Sequence, residues 1–453
     1  LLPRNHILAR LLPTLALSSG LYCLPAHGAI HPAPVILNAF QIVETTGFPL
    51  STYRVFSTNS SGVAQPIPFQ IDELNEIGDF ILDQGPLHNA GQSNGRFDGR
   101  DELAVMGTDV GSSTPPSNWG GIPKPTYLFE VRLNLPKGDS KGDTPSGAIY
   151  VGVYLHRLPP SAITKSYVQF QEAQNKITTS RYRYRFDPTN YLVTQGVDMI
   201  RPGTGGETGK PPEFIPLLKS SSAYIKADLK YFLTFEVGDK TIQSKLESYK
   251  IGPVRGIARV GFFYSFLKIN IKLDMYTEIS FFSNAVILPA ILYSPIDGTR
   301  RLNRGSGFYY GFAMMDNPDA LKWETNLPEY REPSALADLL EGAPRPEPLY
   351  WAAATASDKM MYIELSLSRS MRQAGILPTL FKSSVAGASM KPSQTPQPLG
   401  KAPVNMALFF DLTRFKDGEH FMGFRIFFEN HFEPSLLDTY RKLSRWQVDV
   451  TKL

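Results

Sequence analysis

Residues Ile251–Tyr293 read IGPVRGIARVGFFYSFLKINIKLDMYTEISFFSNAVILPAILY, a run of long apolar and aromatic segments with few turn residues between them. Gly252-Pro253 opens the first segment, which continues through Ile257 and Val260 to Phe262. Phe266–Leu273, Tyr276–Phe282 and Ala285–Tyr293 follow. β-Branched and aromatic residues at this density suit a pleated, buried surface. Strands this long need a second sheet to cover them, so the stretch predicts a large sandwich.

The rest of the chain agrees. Its 453 residues include 36 glycines and 37 prolines, enough turn formers to join many short strands. The expected fold is all-β: a large antiparallel, supersandwich-like β-sandwich over residues 116–453, a smaller N-terminal β module over 29–115, and a short C-terminal helix. That helix is read from Pro434–Trp446, where Leu436, Leu437, Tyr440 and Leu443 share one side.

Residues 1–28 read as a secretory signal peptide. Arg4 and Arg10 form a basic start, Leu11–Leu24 is mostly apolar, and Ala26-His27-Gly28 supplies small residues for cleavage. The rival is a retained anchor, but Pro13, Gly20 and Pro25 interrupt the run. Cleavage would remove the only cysteine, Cys23, and leave no transmembrane span. The expected location is therefore periplasmic or extracellular. Basic and acidic residues nearly balance (46 against 42), so nothing points to nucleic acid.

The N-terminal module centres on Pro66–Gly111, which pairs a strand at Phe69–Asp72 with another at Leu103–Met106 across an acidic loop. Asn94-Gly95-Arg96-Phe97-Asp98 followed by Asp101 resembles the second half of a calcium loop, since a hard cation wants several oxygens around a glycine bend. The candidate ligands are Asp72, Asn94, Asp98, Asp101 and Glu102. The alternative is an acidic turn held by Asx hydrogen bonds and Gly95.

Candidate chemistry elsewhere is sparse. In Ser180–Asp187, Arg181, Arg183 and Arg185 alternate with Tyr182, Tyr184 and Phe186, so the guanidinium groups share one face. They suit either an anionic polymer such as a uronate chain or, the favoured reading, carboxylates on a neighbouring strand. With His156 they are the candidates for lyase chemistry. His420 is the candidate general base, with Glu429 near it in sequence. No histidine spacing suggests zinc, and Gly-x-Ser-x-Gly is absent. Trp119, Trp323 and Trp351 are either sugar-stacking platforms or core.

Two motifs carry a resemblance. Pro68-Phe69-Gln70-Ile71-Asp72-Glu73 with Asp101-Glu102-Leu103 is similar to a pattern in poorly characterised secreted bacterial proteins, some associated with polysaccharide breakdown. Gly252-Pro253-Val254-Arg255 resembles the entry to a long strand in galactose-mutarotase-like supersandwich domains of sugar-processing proteins. The resemblance implies a two-sheet supersandwich and a carbohydrate context, and it transfers no catalytic residue. The expected function is recognition or processing of an extracellular polysaccharide. The alternative is a non-catalytic envelope or surface-assembly protein that docks a partner on its sandwich.

Overall fold

The computed structural model describes residues 32–453 apart from 135–145, 157, 160–164, 205–210, 231–232, 239–240, 267–268, 295, 315–321, 327–348, 357–358, 377, 383–405 and 443–446. The signal segment, the helix expected over Ser334–Leu340 and the low-complexity stretch Gly387–Ala402 lie outside the described residues. The fold is all-β, with large antiparallel sheets and few short helices.

The body is built from two runs of paired strands. One run passes through Thr379–Lys382, Met406–Asp411, Gly307–Met314, Phe214–Leu229, Asn190–Ile200, Tyr182–Asp187, Lys176–Thr179 and Val168–Gln171. The other passes through Ile242–Ile251, Gly256–Phe266, Ile269–Phe281, Ala285–Ser294, Gly418–Glu429, Lys359–Leu367, Trp351–Ala356 and Lys322–Thr325. The runs face each other across one aromatic core that includes Tyr182, Tyr184, Phe186, Phe281, Tyr310, Phe312 and Phe428. A bridge between Asn190 and Ser244 helps join them into a sheet system that closes on itself. The interior is nearly full: the void between Tyr184, Leu218, Ile279 and Phe428 is about 20 Å³, room for about one water.

The N-terminal part is a small sandwich of its own. A three-stranded sheet (Pro34–Asn38, Glu102–Met106, Phe69–Asp72, in that order) packs on a five-stranded sheet. The five run in the order Gln447–Lys452, Tyr127–Asn134, Ser146–Val153, Tyr53–Thr58, Ala64–Pro66. Leu37, Tyr53, Leu103, Val131 and Val151 fill the space between the sheets. The five-stranded sheet takes strands from both sides of the seam expected at 115/116, because Ser146–Val153 hydrogen-bonds directly to Tyr53–Thr58. Its edge strand comes from the far end of the chain, so the body is held to the small sandwich at both of its ends. The expected C-terminal helix is present at Pro434–Arg441, with Leu437 and Tyr440 buried.

Candidate functional site

The motif residues of the first sheet meet those of the body in one buried ion network. The Arg255 side chain is only 1% exposed; its Nε donates to Asp72 Oδ2 at 2.7 Å and its Nη2 lies 2.8 Å from Glu102 Oε2. Lys250 Nζ reaches the other Asp72 oxygen at 2.8 Å. Gln70 Oε1 accepts from the backbone N–H groups of Val254 (3.2 Å) and Arg255 (3.0 Å), while its Nε2 donates to Asp72. Burial alone would push the Asp72 carboxyl up, but Arg255 and Lys250 outweigh it and hold it below the ordinary carboxylate range. The Arg255 guanidinium also sits 4.8 Å from the Phe80 ring, which pins the following loop. This cluster locks the two sandwiches together. Asp72 and Arg255 are buried at its centre, while Lys250 and Glu102 lie at its partly exposed rim.

The acidic loop is a hydrogen-bonded turn. Asp101 accepts from the N–H groups of Leu74 (2.8 Å) and Asp98 (2.9 Å), and Asn94 Oδ1 accepts from Arg96 N at 2.8 Å. Glu73 caps Asn94 and Gly95 through their N–H groups, each at 2.9 Å. Burial, opposed by those backbone donors, pushes the Asp101 carboxyl up to about 6. Of the five expected calcium ligands, Asp72 and Glu102 face Arg255, while Asn94, Asp98 and Asp101 serve the turn. Among the described residues, no group of three or more His, Cys, Asp or Glu side chains is arranged to hold a metal. A thermal melt is therefore expected to give the same midpoint in EDTA as in millimolar calcium; a calcium-dependent rise would return the loop to cation binding.

The open surface lies on the outward face of the Ala285–Ser294, Gly418–Glu429 and Lys359–Leu367 strands. Their register sets the residues out in rows: Ala285, Phe427 and Tyr362; Ile287, Arg425 and Glu364; Pro289, Gly423 and Ser366; then Ile291 opposite Phe421, and Tyr293 opposite Glu419. The first row is covered by the C-terminal helix, whose Tyr440 stacks on Tyr362 at 5.3 Å and also meets Phe427. The next two rows floor a cleft of about 500 Å³, with Ala33–Leu37 along one wall and Leu133 and Val448 behind. Among the described residues lining it, Arg425 carries the charge, with Glu364 next to it in the same row. Its Nε pairs with Glu364 at 3.2 Å, and burial keeps the Glu364 carboxyl above the ordinary range despite that pairing.

The last rows are open. Tyr293 is 60% exposed, Phe421 50% and Ile291 46%, which makes an aromatic platform at the mouth of the cleft. The strand stays accessible here because its pairing with Ile269–Phe281 ends at Ile287, and Pro289, two residues on, has no N–H to continue it.

No protein-family model matches the chain, and no curated protein matches it. Among solved structures it is similar to a protein in the glycosyl hydrolase family 38 from Enterococcus faecalis, at 7% identity and a TM-score of 0.40, over 93% of this chain and 46% of that one. It is also similar to an α-mannosidase from Enterococcus faecalis V583, at 11% identity and a TM-score of 0.37, over 91% of this chain and 48% of that one. The chain spans about half the length of these structures. A likeness this distant carries no activity across.

The candidate catalytic residues do not come together. Arg183 and Arg185 both bind the buried Asp198 on the neighbouring strand, and Arg181 binds the buried Glu429 at 3.0 Å, so the row pairs with carboxylates as favoured. His420 and Glu429 stand at opposite ends of one extended strand, about 30 Å apart. His420 is buried against Phe415, with Nε2 bonded to the Lys416 carbonyl at 2.8 Å. His156 is exposed beyond the end of Ser146–Val153 in the small sandwich. Trp119 is core, packed on Phe56, and Trp351 is half-buried against Tyr362 and Arg441. The platform residues Tyr293 and Phe421 were not singled out by the sequence reading. The available signal was Pro289 inside an apolar run, which marks a strand with a free edge.

Proposed function

We propose that the protein recognises an extracellular polysaccharide on the outward face of the body, with Tyr293 and Phe421 as the contact platform. The exposure of these two rings in successive rows of one sheet face carries the reading. Ring faces held on a sheet offer apolar area to the C–H faces of sugar rings at little entropic cost. Glu419, exposed beside Tyr293, supplies a hydrogen-bond acceptor for hydroxyl groups. Recognition fits better than cleavage, because a glycosidase needs two carboxyl groups flanking the bond, and among the described residues the cleft floor offers one, Glu364, which is paired with Arg425. Export belongs to the same proposal, supported by the basic-then-apolar pattern of residues 4–28.

Affinity electrophoresis against neutral and uronic polysaccharides tests the reading. Tyr293→Ala and Phe421→Ala are each expected to weaken binding roughly threefold to tenfold, with the thermal midpoint unchanged. Retardation equal in wild type and both variants would count against the platform. The second reading, docking of a protein partner, is favoured by the sheet edge that walls the cleft.

A further inference from the structure

We propose that the cleft accepts an extended polypeptide strand, which adds to the three-stranded sheet along the free edge of Pro34–Asn38. The backbone parity of this edge can be worked out from its bonds. Gly107 N–H donates to the Ala33 carbonyl and Ala39 N–H donates to the Asp101 carbonyl, and both pairs continue the register of Pro34–Asn38 with Glu102–Met106. In an antiparallel ladder the bonded residues alternate, so Val35 and Leu37 also face the neighbouring strand. Pro34, Ile36 and Asn38 then point their backbone groups the other way, into the cleft. The Asn38 N–H is taken by Gln41 Oε1 at 3.0 Å, and Pro34 has none. The Pro34 carbonyl and both backbone groups of Ile36 remain, and among the described residues they have no partner.

An apolar ligand would leave these groups unpaired, whereas a peptide backbone satisfies them with one two-bond pair at Ile36 and a further bond at Pro34. Among the described residues, the small sandwich also has an unfilled position at this place. Three strands cover five, and at about 4.8 Å per strand that leaves roughly 10 Å of the larger sheet uncovered. The cleft lies there, backed by Leu133 of the small-sandwich core and by Val448, which packs against that core. Opposite, Ile287 and Pro289 meet the alternate side chains of the incoming strand. The strand that fits is short, with small apolar residues at every second position and no charge facing Ile287.

The test uses a fluorescein-labelled, capped Thr-Val-Thr-Val-Thr-Val-Thr peptide with the intact protein, followed by anisotropy. Two further peptides carry N-methyl groups on either the valine or the threonine amides. The expected result is saturable binding below about 1 mM, weakened tenfold or more by one methylation pattern and within twofold of the parent for the other. Ile36→Pro, which deletes the central donor, is expected to weaken binding about tenfold. Gly423→Trp gives an independent check that keeps the fold. A Cβ there meets only Ser366 at 3.7 Å, so the indole is free to fill the cleft and is expected to abolish binding. No saturation by 1 mM, or equal binding of both methylated peptides, would overturn the proposal. Loss of polysaccharide retardation in Gly423→Trp without any peptide binding would also overturn it, and would assign the cleft to sugar.

Discussion

Replacing Asp72 with alanine is expected to cost about 3–5 kcal/mol of stability, measured by urea denaturation at pH 7. The loss comes from the guanidinium left behind. Arg255 is fully buried, and without Asp72 its remaining acidic partner is Glu102, whose side chain is 18% exposed. Lys250 is exposed enough to rehydrate. The double variant Asp72→Leu with Arg255→Met removes both charges together and is expected to recover at least half of the loss, since an apolar pair of similar volume avoids the desolvation penalty. A double variant as unstable as Asp72→Ala would mean that packing, and not the buried charge, sets the cost.

The same carboxylate fixes a pH dependence. Its folded value is depressed below the unfolded one, so its contribution is complete above the ordinary carboxylate value and is lost as pH falls through the depressed folded value. Asp101 works in the opposite sense. Its value is raised to about 6, so the stability it contributes is present below about 3.8 and is lost as pH rises through about 6. Wild type and Asp72→Ala should therefore converge in stability in strong acid, while Asp101→Asn should flatten the change between about pH 4 and pH 6.

Gly252→Ala is expected to destabilise by about 3 kcal/mol, an unusually large effect for one methyl group. A Cβ at Gly252 would lie 2.0 Å from Gln70 Oε1 and 2.3 Å from its carboxamide carbon. The Gln70 amide would have to leave, which strips the acceptor from the Val254 and Arg255 N–H groups and one donor from Asp72. Combining Gly252→Ala with Gln70→Ala should cost less than the sum of the two single changes, because the second removes the clash created by the first. Strictly additive losses would separate the two residues.

This contact joins the two sequence motifs in space. Glycine in Gly252-Pro253-Val254-Arg255 makes room for the glutamine of Pro68–Glu73, and the arginine closes on the aspartate two residues later. Each motif was legible alone, but their meeting was not, since they lie some 180 residues apart and nothing local links them. The strands of Ile251–Tyr293 were readable as strands because their aromatic and β-branched residues leave no helical alternative, although Phe266–Leu273 and Tyr276–Phe282, read as separate segments, belong largely to one strand, Ile269–Phe281. The row Arg181, Arg183 and Arg185 was readable for the same reason, since strict alternation fixes the face and the opposite face had to be core.

Other features were hidden for physical reasons. Gln447–Lys452 is short and alternates only weakly, and it becomes a strand because Tyr127–Asn134 offers an edge more than 300 residues away in sequence. Tyr293 sits in a strand that is apolar on both faces, so periodicity could not say which ring faces out, whereas Phe421 shares its face with Glu419 and Arg425, a signal that was there to read. In the acidic loop, the residue types that bind calcium are also those that make Asx turns. Here Asp101 and Glu73 accept from backbone N–H groups, Asp72 and Glu102 face Arg255, and Asp98 accepts from the Asn94 side-chain amide.

The claim on which this account rests is that the outward face of the body binds polysaccharide. The most direct test is the dissociation constant of the best-retarded polysaccharide for wild type and for the double variant Tyr293→Ala with Phe421→Ala. The account predicts a tenfold or greater loss in the double variant at an unchanged thermal midpoint. Equal affinity of the two proteins, or no measurable binding of any polysaccharide by wild type, would contradict it.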